Sequence, residues 1–113
     1  MHEFSIALNI VEIAEESAKK ENCRKIISVK LEVGTLSGIV FEALETALEF
    51  AVKKTMLDGA QIEIMKTDAE AECENCRRRF PVNAHFEACP SCNNYKHRLL
   101  RGGEIKVISI EAE

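Results

Sequence analysis

From residue 3 to residue 22 the apolar positions recur at helical spacing. Phe4, Ala7, Leu8, Val11, Ala14 and Ala18 make one ridge, and Ile6, Ile10 and Ile13 make a second beside it. At about 100° per residue the two ridges cover an arc of roughly 220°, leaving Ser5, Asn9, Glu12, Glu16 and Lys19 on the polar side. A helix lying on one sheet buries a narrower stripe. This one therefore calls for cover on two sides, by a sheet and by either a second helix or a partner protein, two neighbours within the chain being the simpler reading. Residues 26–33 then switch to a period of two. Ile27, Val29, Leu31 and Val33 point one way and Ser28, Lys30 and Glu32 the other, as in a strand with one buried face. Gly34-Thr35-Leu36-Ser37-Gly38 breaks the strand, with Ser37 placed to cap a second helix over about 39–55. Its inward positions are Val40, Ala43, Leu44, Ala47, Leu48, Ala51 and Val52. Asp58-Gly59 is a turn, and Ala60, Ile62 and Ile64 alternate with Gln61 and Glu63 in a second strand.

Between residues 70 and 98 apolar periodicity fades, and cysteines, arginines, asparagines and both prolines gather there. Arg101-Gly102-Gly103 then leads into a third strand, Glu104–Ile110. Its apolar phase changes between Ile105/Val107 and Ile108/Ile110, as a bulge or a two-sided strand would require. The expected fold is α+β: a small three-stranded sheet with two helices, plus an inserted zinc-ribbon-like module. The expected domains are 1–69 with 99–113, and 70–98 inserted between them.

Composition narrows the function. The chain of 113 residues carries 15 Lys+Arg against 19 Asp+Glu, a formal charge of −4, which disfavours a general nucleic-acid binder. No run of eighteen apolar residues exists to cross a membrane. The start Met1-His2-Glu3-Phe4-Ser5 lacks the basic stretch and cleavage site of a signal peptide, so a cytoplasmic location is expected. In such a compartment four of the five cysteines, arranged as two CxxC pairs, point to metal rather than disulfides.

Cys73-Glu74-Asn75-Cys76 and Cys89-Pro90-Ser91-Cys92 are separated by twelve residues. Two CxxC loops can turn four thiolates toward one point, a tetrahedral sulfur set that suits Zn(II), ahead of iron. Four thiolates leave no open position, so the role is structural. The segment needs it. Between the first and last of these cysteines the larger apolar side chains are Phe80, Val82 and Phe86, each contributing about 1.5–3 kcal/mol when buried. Backbone ordering costs about 1–2 kcal/mol per residue, whereas structural zinc contributes on the order of 10–16 kcal/mol. Four thiolates add four negative charges and zinc returns two, taking the formal −4 to −6. Arg77, Arg78 and Arg79 would offset that excess locally; a docking patch for an acidic partner or nucleic acid is the other reading.

The N-terminus carries a second candidate. His at position 2 protects the initiator Met, leaving a free α-amine on Met1. That amine, the amide nitrogen of His2 and the His2 imidazole form fused chelate rings. Three nitrogens in a plane suit Ni(II) or Cu(II). The fourth position is left to Glu3, a water or a partner. Many chains carry an early His without such a role, so the tripeptide alone leaves both readings open.

The whole arrangement resembles the HypA/HybF family: Met1-His2-Glu3 opening an amphipathic helix, Val33-Gly34 with Leu36-Ser37-Gly38, paired CxxC knuckles, and a Gly-Gly-Glu turn into Ile105–Ile110. The resemblance implies a non-enzymatic nickel metallochaperone for [NiFe]-hydrogenase maturation, in which Ni(II) is cargo and Zn(II) structural. It implies nickel ligation by Met1, His2 and Glu3, and zinc ligation by Cys73, Cys76, Cys89 and Cys92. The implied partners are a HypB-type nickel GTPase, the hydrogenase large-subunit precursor and urease maturation factors, with no nucleic acid and no membrane; the chain is a monomer or a homodimer. Some relatives place a His beside the knuckles. His85 and His97 stand too far from the cysteines to be assigned to zinc, and an approach to nickel is a minor reading for either. Cys23, at the end of the first helix, reads as a small apolar filler. Two rivals remain. A zinc-ribbon nucleic-acid module draws on Arg77–Arg79, Lys96, Arg98 and Arg101 but lacks stacking aromatics. A zinc hydrolase needs an open metal position and a base, and the sequence has no HExxH or Ser/His/Asp arrangement.

Overall fold

A computed structural model of the chain describes residues 3–113. Two helices and six strands follow one another: α1 (Glu3–Lys20), β1 (Ile26–Gly34), α2 (Phe41–Ala51), β2 (Gln61–Thr67), β3 (Glu70–Cys73), β4 (Arg79–Pro81), β5 (His97–Arg101) and β6 (Ile105–Ala112). They form two three-stranded sheets, ordered β2-β1-β6 and β4-β3-β5. The chain divides into two compact units, one of residues 1–32, 39–65 and 106–113, the other of 33–38 and 66–105. The loop after β1 belongs to the second unit.

In the first unit α1 packs on α2 and buries Ala7, Ile10, Val11, Ala14 and Ala18. The wide apolar arc is only partly covered, since Phe4, Leu8 and Ile13 stay exposed on its two flanks. The helix stops because Asn22 adopts a left-handed φ of 59°. Its N–H donates to Lys19 O while the Cys23 N–H reaches back to Ala18 O, which satisfies the last carbonyls. In β1, Val29, Leu31 and Val33 are buried as the alternation predicts, but Ile26 is fully buried and Ile27 exposed, a correction at the strand's start. Lys25 pairs through its backbone with Glu113, and the Ser28 hydroxyl donates to the Glu111 carboxylate, so β1 and β6 run antiparallel. The burial phase of β6 does shift across Ile108-Ser109.

Helix α2 is shorter than expected and starts later. Ser37 does not cap it; its hydroxyl donates to Gly34 O and holds the preceding turn. Val40 is the N-cap, in extended conformation, without a side-chain cap and exposed rather than inward. Leu44, Ala47, Leu48 and Ala51 form the buried face. Leu57, in the connection to β2, is fully buried. Gly59 makes the predicted turn with φ at +81°.

In the second unit β3 is the central strand, antiparallel to both neighbours, with Ala71 opposite Phe80 and Leu99 and Cys73 opposite His97. The core is Ala69, Ala71, Cys73, Phe80, Val82 and Cys89, with Leu36, Cys92 and Leu99 against it. Phe86, expected to help fill this core, is 91% exposed. Two of the six core residues are cysteines, so the apolar contribution is smaller than a domain of this length ordinarily has.

Candidate metal centre

Each CxxC pair makes the same turn. Cys73 N–H donates to Arg78 O and Arg77 N–H to Cys73 O; Cys89 N–H donates to Asn94 O and Asn93 N–H to Cys89 O. The residue after each second cysteine, Arg77 or Asn93, sits in the left-handed region, at φ 65° and 60°. Asparagine visits that region at low cost; arginine does so less readily and is held by the two flanking hydrogen bonds. Two copies of one knuckle therefore face each other, the first following β3 and the second preceding β5.

The four sulfurs lie within 4.8 Å of one another. Cys73 Sγ and Cys92 Sγ are 3.5 Å apart, and Cys76 Sγ and Cys89 Sγ 3.6 Å. These separations are far longer than a disulfide bond, and all four cysteines are free. A tetrahedral site with Zn–S bonds near 2.3 Å has sulfur edges of about 3.8 Å, so the short edges fit a metal better than a covalent bridge. The surroundings favour thiolates unevenly. The Asn75 side chain and the Asn94 backbone N–H hold the Cys92 thiol down to about 6. Burial raises the Cys89 thiol, but hydrogen bonds from Cys92 and Ser91 N–H outweigh it and leave it lowered. The Arg78 N–H acts to lower Cys76, yet desolvation and the neighbouring sulfurs push it up to about 11. Without a cation the set cannot ionise completely. With one, the donors are sulfur only, the count is four, and no position is left for substrate.

The cysteine spacing was legible in the sequence; the supporting shell was not. Asn75, Ser91 and Asn94 carry no motif of their own, and only the shared knuckle geometry makes them recognisable as sulfur partners. Arg78 donates to the Ser91 hydroxyl at 2.7 Å and so ties one knuckle to the other. Arg98 and Arg101 pair with Glu72 and Glu70 across β5 and β3, both at 2.7 Å, which engages two of the cations a nucleic-acid reading would use. His85 is exposed. His97 stacks edge-on against Phe80 at 5.8 Å between centroids. Neither belongs to the four-residue cluster, and neither does the half-buried Cys23.

Met1 and His2 lie outside the described residues. Glu3 opens α1, and its carboxylate accepts a hydrogen bond from the Val40 N–H at 3.3 Å. The first acidic residue of the chain is thereby engaged at the start of α2, where the orphan N–H groups of a helix favour a carboxylate.

Comparison with known proteins agrees with this arrangement over nearly the whole chain. The family described as hydrogenase/urease nickel incorporation, metallochaperone, hypA, matches residues 1–112. The hydrogenase maturation factor HypA of Geobacter sulfurreducens is 42% identical over 113 residues, and that of Geobacter metallireducens 40%, each covering 100% of both chains. The solution structure of the Ni metallochaperone HypA from Helicobacter pylori superposes with a TM-score of 0.75 at 27% identity, covering 99% of this chain and 97% of that one. No helix among the described residues is long and apolar enough to cross a membrane. The chain belongs to the HypA family of hydrogenase maturation factors and nickel metallochaperones, which are not enzymes.

Proposed function

We propose that the chain holds Ni(II) at its N-terminus and delivers it to a [NiFe]-hydrogenase large-subunit precursor in the cytoplasm, with zinc as a resident structural ion in the second unit. The match over residues 1–112, which includes Met1-His2-Glu3, carries this reading. Nickel is taken by the Met1 α-amine, the His2 amide nitrogen and the His2 imidazole. Glu3 is the further candidate ligand in this reading, and one of its carboxylate oxygens also accepts from the Val40 N–H. Nickel is cargo, so an incomplete ligand set is an advantage: one exchangeable position lets an acceptor thiolate enter and draw the metal away by ligand exchange. A HypB-type GTPase is the expected donor, and urease maturation factors are further recipients. Cys73, Cys76, Cys89 and Cys92 would bind zinc, which supplies cohesion and no chemistry.

Metal analysis of untagged protein, with and without added nickel, tests both assignments. One zinc per chain is expected throughout, with nickel binding superimposed on it. Adding one or two residues before Met1, or making His2→Ala, should abolish tight nickel binding and leave zinc in place. Nickel affinity that survives an N-terminal extension would refute the amine chelate.

A further inference from the structure

On the first unit, α2 and the outer strand β2 enclose an open groove of about 220 Å³. Its walls are Leu48 of α2, Val52 just past the helix end, and Ile62 and Ile64 of β2, and its rim is Glu45 and Glu49. Ile62 and Ile64 are only half-buried, although the alternation of β2 turns them toward the helix. Strand β2 ends its sheet in the order β2-β1-β6, so one backbone edge has no neighbouring strand among the described residues. Such an edge is a template for pairing with another segment.

The rim says what kind of segment fits. Glu42, Glu45 and Glu49 recur at helical spacing along one exposed side of α2, an arrangement of like charges that costs helix stability. None of the three forms an ion pair among the described residues. Lys53, one turn beyond Glu49, has its ammonium over the Phe50 ring at 4.7 Å. The unit as a whole holds thirteen Asp+Glu against eight Lys+Arg. A second copy of this chain is a poor occupant, because pairing β2 with β2 would bring two such acidic rims together.

We infer that this groove is a docking site for an extended, basic segment of a partner protein, which adds a strand to the free edge of β2. Alternate apolar side chains of that segment enter beneath α2 against Leu48, Val52, Ile62 and Ile64. Lysine or arginine side chains meet Glu45 and Glu49. The site is independent of the nickel reading: a chain that fails to bind nickel retains it.

The probe is a synthetic peptide alternating Val or Ile with Lys and Arg, titrated into the isotope-labelled, zinc-loaded full chain. Backbone amide shifts should change at residues 45–52 and 61–65 and weaken with added salt. Glu45→Lys with Glu49→Lys should lower affinity by about tenfold or more, whereas Glu12→Lys with Glu16→Lys, the same change of net charge on α1, should leave it intact. A peptide with Glu in place of Lys and Arg should not bind, nor should one with Pro at alternate positions, which lacks the N–H donors of a strand. The inference is overturned by any of four results: no shifts at millimolar peptide, shifts centred on residues 66–105, equal binding of either control peptide, or concentration-dependent self-association that protects the same edge.

Discussion

Small backbone details decide whether the second unit can form. Gly102 has φ at +87°, and a Cβ there would run into the backbone of Ala69. A Cβ on Gly34 would meet the Gly102 carbonyl. This packing allows the Leu36 N–H to reach Gly102 O at 2.8 Å and the Gly34 N–H to reach Glu104 O at 3.0 Å. Gly102→Ala should therefore destabilise the unit by about 2–4 kcal/mol through strain and overpacking. A denaturant melt that is unchanged by the substitution would contradict this close approach. Among the sulfurs, Cys76 is pushed up to about 11 and Cys92 held down to about 6. Zinc must then displace a proton from Cys76 at neutral pH, and as the pH falls through 6 it must also compete for Cys92. Since zinc takes only the deprotonated sulfur, its apparent affinity should fall steadily between about pH 8 and about pH 5. Competition with a chromophoric chelator across that range measures the slope, and a flat profile would argue against thiolate ligation.

Among the elements, α2 starts without a side-chain cap. Its N-cap residue is Val40, which offers no side-chain acceptor, and the Val40 N–H relies on the carboxylate of Glu3. Val40 is 58% exposed, so little burial is lost by replacing it. Val40→Ser should stabilise the first unit by about 1 kcal/mol, because a serine oxygen can accept from the N–H groups of the first helical turn. A raised midpoint in thermal melting is the expected readout; an unchanged or lowered one would mean those groups are already satisfied. The sequence placed the cap at Ser37 because a hydroxyl before an apolar run is the usual signal, but the chain uses that hydroxyl to close the turn on Gly34 O. Strands β3, β4 and β5 were missed for another reason. They are only three to five residues long, and in β5 the adjacent Leu99 and Leu100 break the alternation. No window of the usual length shows a period.

For the molecule as a whole, cohesion has two sources. The first unit buries a ridge of α1 and of α2 together with Ile26, Val29 and Leu31, a core to which none of the four clustered cysteines belongs. The second has a core of six residues, two of them cysteines. Removing zinc with a strong chelator, or making Cys89→Ser, should thus unfold residues 66–105 selectively. Proteolysis would then cut within that span while the helices persist by circular dichroism. Loss of helical signal in parallel would show that the first unit also depends on the metal.

What the sequence determined was whatever rests on local spacing. The helical ridge of α1, the alternation in β1, the turn at Asp58-Gly59 and the paired CxxC loops follow from side-chain identity at fixed intervals, and those intervals are set by backbone geometry alone. Tertiary structure decided everything that depends on which surfaces meet. It left Phe4, Leu8, Ile13 and Phe86 exposed despite their apolar character. It moved Glu3 onto the start of α2, joined residues 33–38 to 66–105, and ringed the four sulfurs with Asn75, Ser91 and Asn94. Burial and hydrogen-bond partnership are properties of pairs of distant residues, and no interval along a single chain encodes them.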